Sequence, residues 1–295
     1  MKKRVLALGF FDGVHRGHRA LLEQTVKTAR EEGLISSAMT YSAHPAECLG
    51  NRTVKLINTT EERVFLMKEL CGIGEVIVRG FTREFSELSC SEFIDRIVIG
   101  ECNAEHVVAG FNFRFGKNGA GDAEMLNVLC RERGLGCTVV PEVDYMGERV
   151  SSSLIRGFLR SGDIARANDF LGHNHCIISK IVHGDNIGGK LIVPTINQYF
   201  GENIEIPKYG VYASVTYIGE KRLMSITNIG VRPTVSSSGE VRAETNIIDF
   251  SENVYGKTAR VELVGYLRGE KKFPSAAELR AQIEKDIECV RKQNV

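Results

Sequence analysis

A chain of 295 residues with a net charge of +1 has room for one large or two ordinary domains, and carries no general attraction for nucleic acid or an anionic membrane. Hydrophobic residues at 43% and charged residues at 25% suit a globular protein with a buried core, and no run of 18 apolar residues offers a membrane-spanning helix. The basic start Met1-Lys2-Lys3-Arg4 precedes an apolar run too short for a signal peptide, and the eight cysteines are scattered without a C-x-x-C pair, which predicts a cytoplasmic protein with reduced thiols.

Val5 to Phe10 reads as a buried strand. From His18 onward Ala20, Leu21, Leu22, Val26 and Ala29 fall on helical spacing. Between them lies Leu8-Gly9-Phe10-Phe11-Asp12-Gly13-Val14-His15-Arg16-Gly17-His18, a strand-to-helix turn whose free N–H groups and helix dipole favour an anion. Gly9, Gly13 and Gly17 let a phosphate chain approach the backbone. His15 and His18, one turn apart, can both donate to charge building on that phosphate, so the turn reads as a nucleotide site.

Strands over Ile35–Tyr41, Glu75–Val78, His106–Ala109 and Cys137–Pro141 alternate with helices over Thr60–Leu70, Ser91–Ile99 and Ala123–Arg133. This alternation predicts a parallel sheet covered on both faces, with ligands at the carboxyl ends of the strands, where His15, His18 and His44 fall. Gly110-Phe111-Asn112-Phe113-Arg114-Phe115-Gly116-Lys117 reads either as an amphipathic strand and hairpin or as a loop offering aromatic surface and polar groups to a nucleotide. In Arg149-Val150-Ser151-Ser152-Ser153-Leu154-Ile155-Arg156 the serines cap a helix, and a capped helix start is also an anion site. Arg156 lies one turn inside, in reach of a triphosphate.

The G-F-F-D-G-V-H-R-G-H block resembles the nucleotidylyltransferase superfamily, and within it the bacterial bifunctional riboflavin kinase/FMN adenylyltransferases, the FAD synthetases. The G-F-N-F-R-F-G-K and S-S-S-L-I-R blocks agree. The resemblance implies a Rossmann-like α/β nucleotidylyltransferase domain over residues 1–173 that transfers the adenylyl group of ATP to FMN. Gly9, Gly13, Asn112, Arg149, Ser152, Ser153 and Arg156 would contact nucleotide or phosphate, and His15 and His18 would be catalytic.

Beyond residue 174 the pattern changes. Cys176–Val182, Tyr209–Thr216, Leu223–Ile229, Ala243–Phe250 and Ala259–Tyr266 read as strands, followed by a helix capped by Ser275 with Leu279, Ile283, Ile287 and Val290 as its apolar stripe. This predicts a small antiparallel β-barrel with a terminal helix, over residues 174–295. The motifs His183-Gly184-Asp185, Pro194-Thr195-Ile196-Asn197, Tyr209-Gly210-Val211-Tyr212, Asn228 to Thr234 and Glu244 resemble the riboflavin kinase domain. By that resemblance Thr195 and Asn197 would hold Mg²⁺ and ATP phosphates, and Glu244 would take the proton from the ribityl hydroxyl. Read alone, Glu244 is a cross-strand charge partner for Arg242 or Arg260.

One departure stands out. Ile187 and Gly189 stand where the family commonly has arginines, and Ile192 where it has glycine. The expected activity is therefore FMN adenylyl transfer together with riboflavin phosphorylation, with Mg²⁺, ATP, FMN and riboflavin as small-molecule partners and neither nucleic acid nor membrane. The alternative is a monofunctional adenylyltransferase whose second domain only binds flavin. A flavin-sensing binding protein is disfavoured, because binding alone needs no second phosphate-handling motif.

Overall fold

Five short strands pair in parallel, the central three carrying the buried apolar residues and the outer two, half-buried, closing the sheet at its edges. A computed structural model describes residues 2–48, 50, 53–182, 195–231 and 240–292. The chain divides into two units, Met1–Ser152 and Ser153–Val295.

In the first unit, strands β1 (Arg4–Leu8), β2 (Ile35–Tyr41), β3 (Glu75–Arg79), β4 (Ala104–Gly110) and β5 (Gly136–Val140) form one parallel sheet in the order β3-β2-β1-β4-β5. Helices α1 (Arg16–Glu32), α2 (Thr60–Cys71), α3 (Cys90–Glu92, continuing as a wider π-type turn over Phe93–Glu101) and α4 (Ala123–Glu132) make the connections. The central strand β1 is apolar throughout its buried length, Val5 to Leu8, as a strand covered on both faces must be. The chain builds β2 and β3 on one side of β1 and β4 and β5 on the other. The order therefore reverses between β1 and β4, which makes the carboxyl ends of these two strands the topological switch point of the sheet.

Local signals set the boundaries. Thr59 caps α2 in a reciprocal capping box with Glu62, and Gly72 closes it in the left-handed conformation. Ser89 and Glu92 do the same for the start of α3, whose Phe93, Ile94, Ile97 and Val98 face the core as the spacing predicts. The first strand ends at Leu8, two residues before the predicted end. Phe11 has φ 61° and turns the chain out of the sheet.

The second unit opens with the body of helix α5 (Ser152–Ser161) and helix α6 (Ile164–Leu171). Six antiparallel strands follow: β6 (His175–Lys180), β7 (Ile196–Tyr199), β8 (Gly210–Ile218), β9 (Lys221–Val231), β10 (Val241–Ile247) and β11 (Thr258–Arg268), in the order β6-β11-β8-β9-β10-β7. A bridge between Val182 and Asn197 brings the two ends of this order together, so the barrel is nearly closed. Four-residue β7, which begins within the Pro-Thr-Ile-Asn motif, was not foreseen, and β10 stops at Ile247 instead of Phe250 because Asp249 has φ 55°.

The barrel interior carries a ladder of buried hydroxyls, Thr216–Ser225–Ser214–Thr227–Thr245, each step 2.8–2.9 Å. Such cross-strand pairs satisfy one another where water cannot reach. Helix α7 (Ala276–Lys292) lies on the outer face, where Ile287 and Val290 join Val211, Ala213, Ile226 and Ile248. Ser275 caps it through the Glu278 amide, at 3.3 Å. Leu279 and Ile283 are only half-buried, and Asp286 takes a core position instead. There its carboxylate receives the Arg268 guanidinium on both oxygens and the amide of Gln282. Ile187, Gly189 and Ile192 lie outside the described residues.

Candidate active site

The turn after β1 is built from residues in conformations that most side chains avoid. Phe11, Gly13 and Val14 have φ of 61°, 84° and 41°. Buried packing holds them: Phe11 and Val14 are at most 1% exposed. Gly9 is required by contact, since a Cβ there would come within 2.9 Å of the Phe11 ring. The Asp12 carboxylate accepts the amides of Ile57 at 2.8 Å and Asn58 at 3.4 Å, tying the turn to the approach to α2.

This turn delivers His15 as the N-cap of α1. Its Nδ1 accepts the backbone amide of His18 at 3.3 Å. The two imidazole rings stack with centroids 3.6 Å apart and planes 14° from parallel, and the Phe11 ring meets His18 edge-on. Burial first, then the charges of His15 and Arg63, hold the His18 imidazole well below its ordinary range. It is neutral at physiological pH, able to donate or accept but not carrying a standing charge. Its Nδ1 is buried without a partner.

A neighbouring cation was not foreseen. Arg63, in the first turn of α2, is fully buried and donates to the carbonyls of Phe10 at 3.2 Å and Tyr41 at 2.8 Å, and to the Thr60 hydroxyl at 3.0 Å. Its guanidinium lies 4.0 Å over the Phe10 ring. Thr40 donates to the same Phe10 carbonyl at 2.8 Å. In the sequence Arg63 looks like one more charge on an acidic helix start; only the fold turns it inward.

The end of β4 supplies the next group, since Leu8 pairs with Ala109 across the switch point. The segment after Gly110 is a turn and loop, with the Phe113 amide bonded back to Gly110 at 2.9 Å. Its three phenylalanines have separate fates. Phe115 enters the core against Phe93, Phe113 stacks on Phe115, and Phe111 stays on the surface with the Arg149 guanidinium 5.0 Å over its ring. Asn112 is exposed between Phe111 and Phe113. Arg149 also pairs with Glu142. Ser152, the first residue of α5, donates its hydroxyl to the Asp12 carbonyl at 2.9 Å, joining positions 140 residues apart. Ser153 and Arg156 fall in the second unit, hydrogen-bonded to each other at 3.0 Å.

The barrel gathers a second polar set. Asn197 on β7, Glu244 on β10 and Asn228 on β9 are consecutive partners in one cross-strand row, and Thr195 precedes β7. Arg242, two residues from Glu244 on the same face, pairs with its carboxylate. The charge-partner reading of Glu244 thus holds for Arg242. Arg260 instead pairs with Glu262.

A Gly-rich turn presenting stacked histidines at a helix N-terminus, on the switch point of a parallel sheet, defines a nucleotide-handling α/β protein, here with an added antiparallel barrel. The family model described as FAD synthetase matches residues 1–154, and that described as riboflavin kinase matches residues 171–294. The chain is 35% identical over 288 residues to the bifunctional riboflavin kinase/FMN adenylyltransferase of Bacillus subtilis, covering 96% of this chain and 90% of that one. It is 34% identical over 290 residues to the protein of the same name from Listeria monocytogenes, covering 98% and 91%. A crystal structure of a macrolide-efflux protein from Streptococcus pneumoniae superposes with a TM-score of 0.83 at 28% identity, covering 98% of this chain and 94% of that one. Among the described residues of this chain no helix is long and apolar enough to cross a membrane. The chain belongs to the bifunctional riboflavin kinase/FMN adenylyltransferase family.

Proposed function

We propose that this chain makes FAD in two steps: residues 174–295 phosphorylate riboflavin to FMN with ATP, and residues 1–173 transfer the adenylyl group of a second ATP to FMN. The observation that carries the reading is the stacked His15–His18 pair at the N-terminus of α1. Both family matches, and relatives named for both activities, favour two activities over a monofunctional adenylyltransferase.

In adenylyl transfer a phosphate oxygen of FMN attacks the α-phosphorus of ATP in line, and the bond to pyrophosphate breaks. His15, His18 and the α1 N-terminus stabilise negative charge on the phosphates in the transition state. Gly9 and Gly13 shape the turn that presents the backbone to the phosphates, and Asn112, Arg149, Ser152, Ser153 and Arg156 bind nucleotide and phosphate. A magnesium ion carried in with ATP would supply positive charge to offset the leaving pyrophosphate.

In the kinase step Glu244 takes the proton of the ribityl hydroxyl as its oxygen attacks the γ-phosphorus. The hydroxyl of Thr195 and the amide oxygen of Asn197 are hard donors of the kind magnesium prefers, and Asn197 sits directly across the strand from Glu244. Arg242 orients the Glu244 carboxylate. The cysteines are free thiols, and the reading places the enzyme in the cytoplasm.

Labelled ATP tests the scheme. With riboflavin as substrate, γ-label should enter FMN and then FAD, and α-label should enter FAD alone. Failure of α-label to enter any flavin would overturn it.

A further inference from the structure

Beyond its part in keeping His18 neutral, Arg63 has no role in the chemistry set out above, yet it is one of the bulkiest side chains the fold buries completely. Burying a cation is expensive unless it is paired. The hydrogen bonds of Arg63 run to neutral oxygens, two of them backbone carbonyls, and its Nε is buried without an acceptor. The carboxylates that act on it, Asp12 and Glu61, do so through space, and Asp12 Oδ1 is already committed to the amides of Ile57 and Asn58. Burial pushes the guanidinium down to about 10, which leaves it charged at neutral pH.

A strap between two strand ends needs donors, not charge, and a neutral amide would cost less to bury. The charge is therefore surplus to the packing. It lies directly behind the phosphate turn: Arg63 holds the carbonyl of Phe10, one residue after Gly9, and its guanidinium stacks on the Phe10 ring. His44, edge-on at 4.8 Å, and the neighbouring core fix that ring further.

We propose that Arg63 is a built-in countercharge for the polyphosphate, a positioning residue that grips the carbonyls of Phe10 and Tyr41 from behind the turn and attracts bound phosphates through it without touching them. The inference rests on the adenylyltransferase reading of this turn. It differs from a packing role in one respect: its effect must grow with the charge of the ligand.

The test compares competitive inhibition of FAD formation from FMN by adenosine, AMP and ADP, in the full chain and in Arg63→Met. The expected result is an inhibition constant for adenosine within about twofold of wild type, a rise of about threefold for AMP and about tenfold for ADP. A uniform rise that includes adenosine, or no change at any charge, would overturn the proposal. Should Arg63→Met fail to fold, Arg63→Lys decides, since it keeps the charge and loses the fork. A near-wild-type ratio of the adenosine to the ADP constant supports the countercharge, and a ratio collapsed toward one rejects it. Absence of FAD formation by the wild-type chain would instead reject the underlying reading, so the two failures are distinguishable.

Discussion

The imidazoles of His15 and His18 stack 3.6 Å apart, and the same His15 side chain caps the helix that carries His18. One residue thus orients the other and fixes the N-terminus of α1, the proposed phosphate site. Two charged rings at this distance would repel, which agrees with a neutral His18.

Replacing His18 with alanine removes the imidazole that the proposed mechanism uses as a donor and keeps the backbone amide that bonds to His15. We expect His18→Ala to lower adenylyl transfer by about 10²- to 10³-fold while riboflavin phosphorylation stays within twofold of wild type. Separate initial rates for FMN and FAD formation check this. Equal loss of both would show that the two activities share this residue.

Gly9 tests the shape of the turn. A methyl group there meets the Phe11 ring at 2.9 Å, and Phe11 is buried with no room to retreat. Gly9→Ala should cost about 1–3 kcal/mol of stability in urea unfolding and slow FAD formation. An unchanged unfolding midpoint would mean that the ring yields.

Glu244→Gln keeps the shape of the side chain and removes its basicity. FMN formation from riboflavin should fall by about 10²-fold or more, with FAD formation from supplied FMN unaffected. Retention of phosphorylation would return Glu244 to the role of ion-pair partner for Arg242.

His175 gives the barrel an acid-sensitive point. Both ring nitrogens are buried without partners, and burial, with a contribution from His173, pushes the imidazole down to about 3. Between about pH 6.5 and 3 the unfolded chain takes up a proton that the folded barrel refuses. The stabilising difference is complete above about 6.5 and is lost as pH falls, by about 1.4 kcal/mol per unit. His175→Phe should flatten this dependence between pH 6.5 and 5 in urea titrations. An unchanged slope would assign the acid lability to other groups.

Much of this was legible in the chain. The helices expected over Thr60–Leu70, with its acidic first turn, and Ala123–Arg133 match α2 and α4 to within one residue, and the alternation of elements announced the parallel sheet. The strand-to-helix turn from Gly9 to His18 was also legible, with His15 at the start of α1. Other features were hidden for physical reasons. Strand β7 spans four residues and has no period of its own, while Asp286 looks like a surface carboxylate until Arg268 arrives from the end of β11. Arg63 is invisible for the same reason: its meaning lies in the carbonyls of Phe10 and Tyr41, which only the fold brings to it. The hydroxyl contact of Ser152 with Asp12 spans 140 residues, and no local pattern encodes such a distance.

The most direct test of the central claim is a time course of the pure chain with riboflavin and Mg-ATP, the flavins separated by chromatography. The account predicts that FMN rises first and FAD follows, with FAD also formed when FMN is supplied directly. FAD from FMN but none from riboflavin would contradict the two-activity account, and no FAD from either substrate would refute the assignment of the histidine turn.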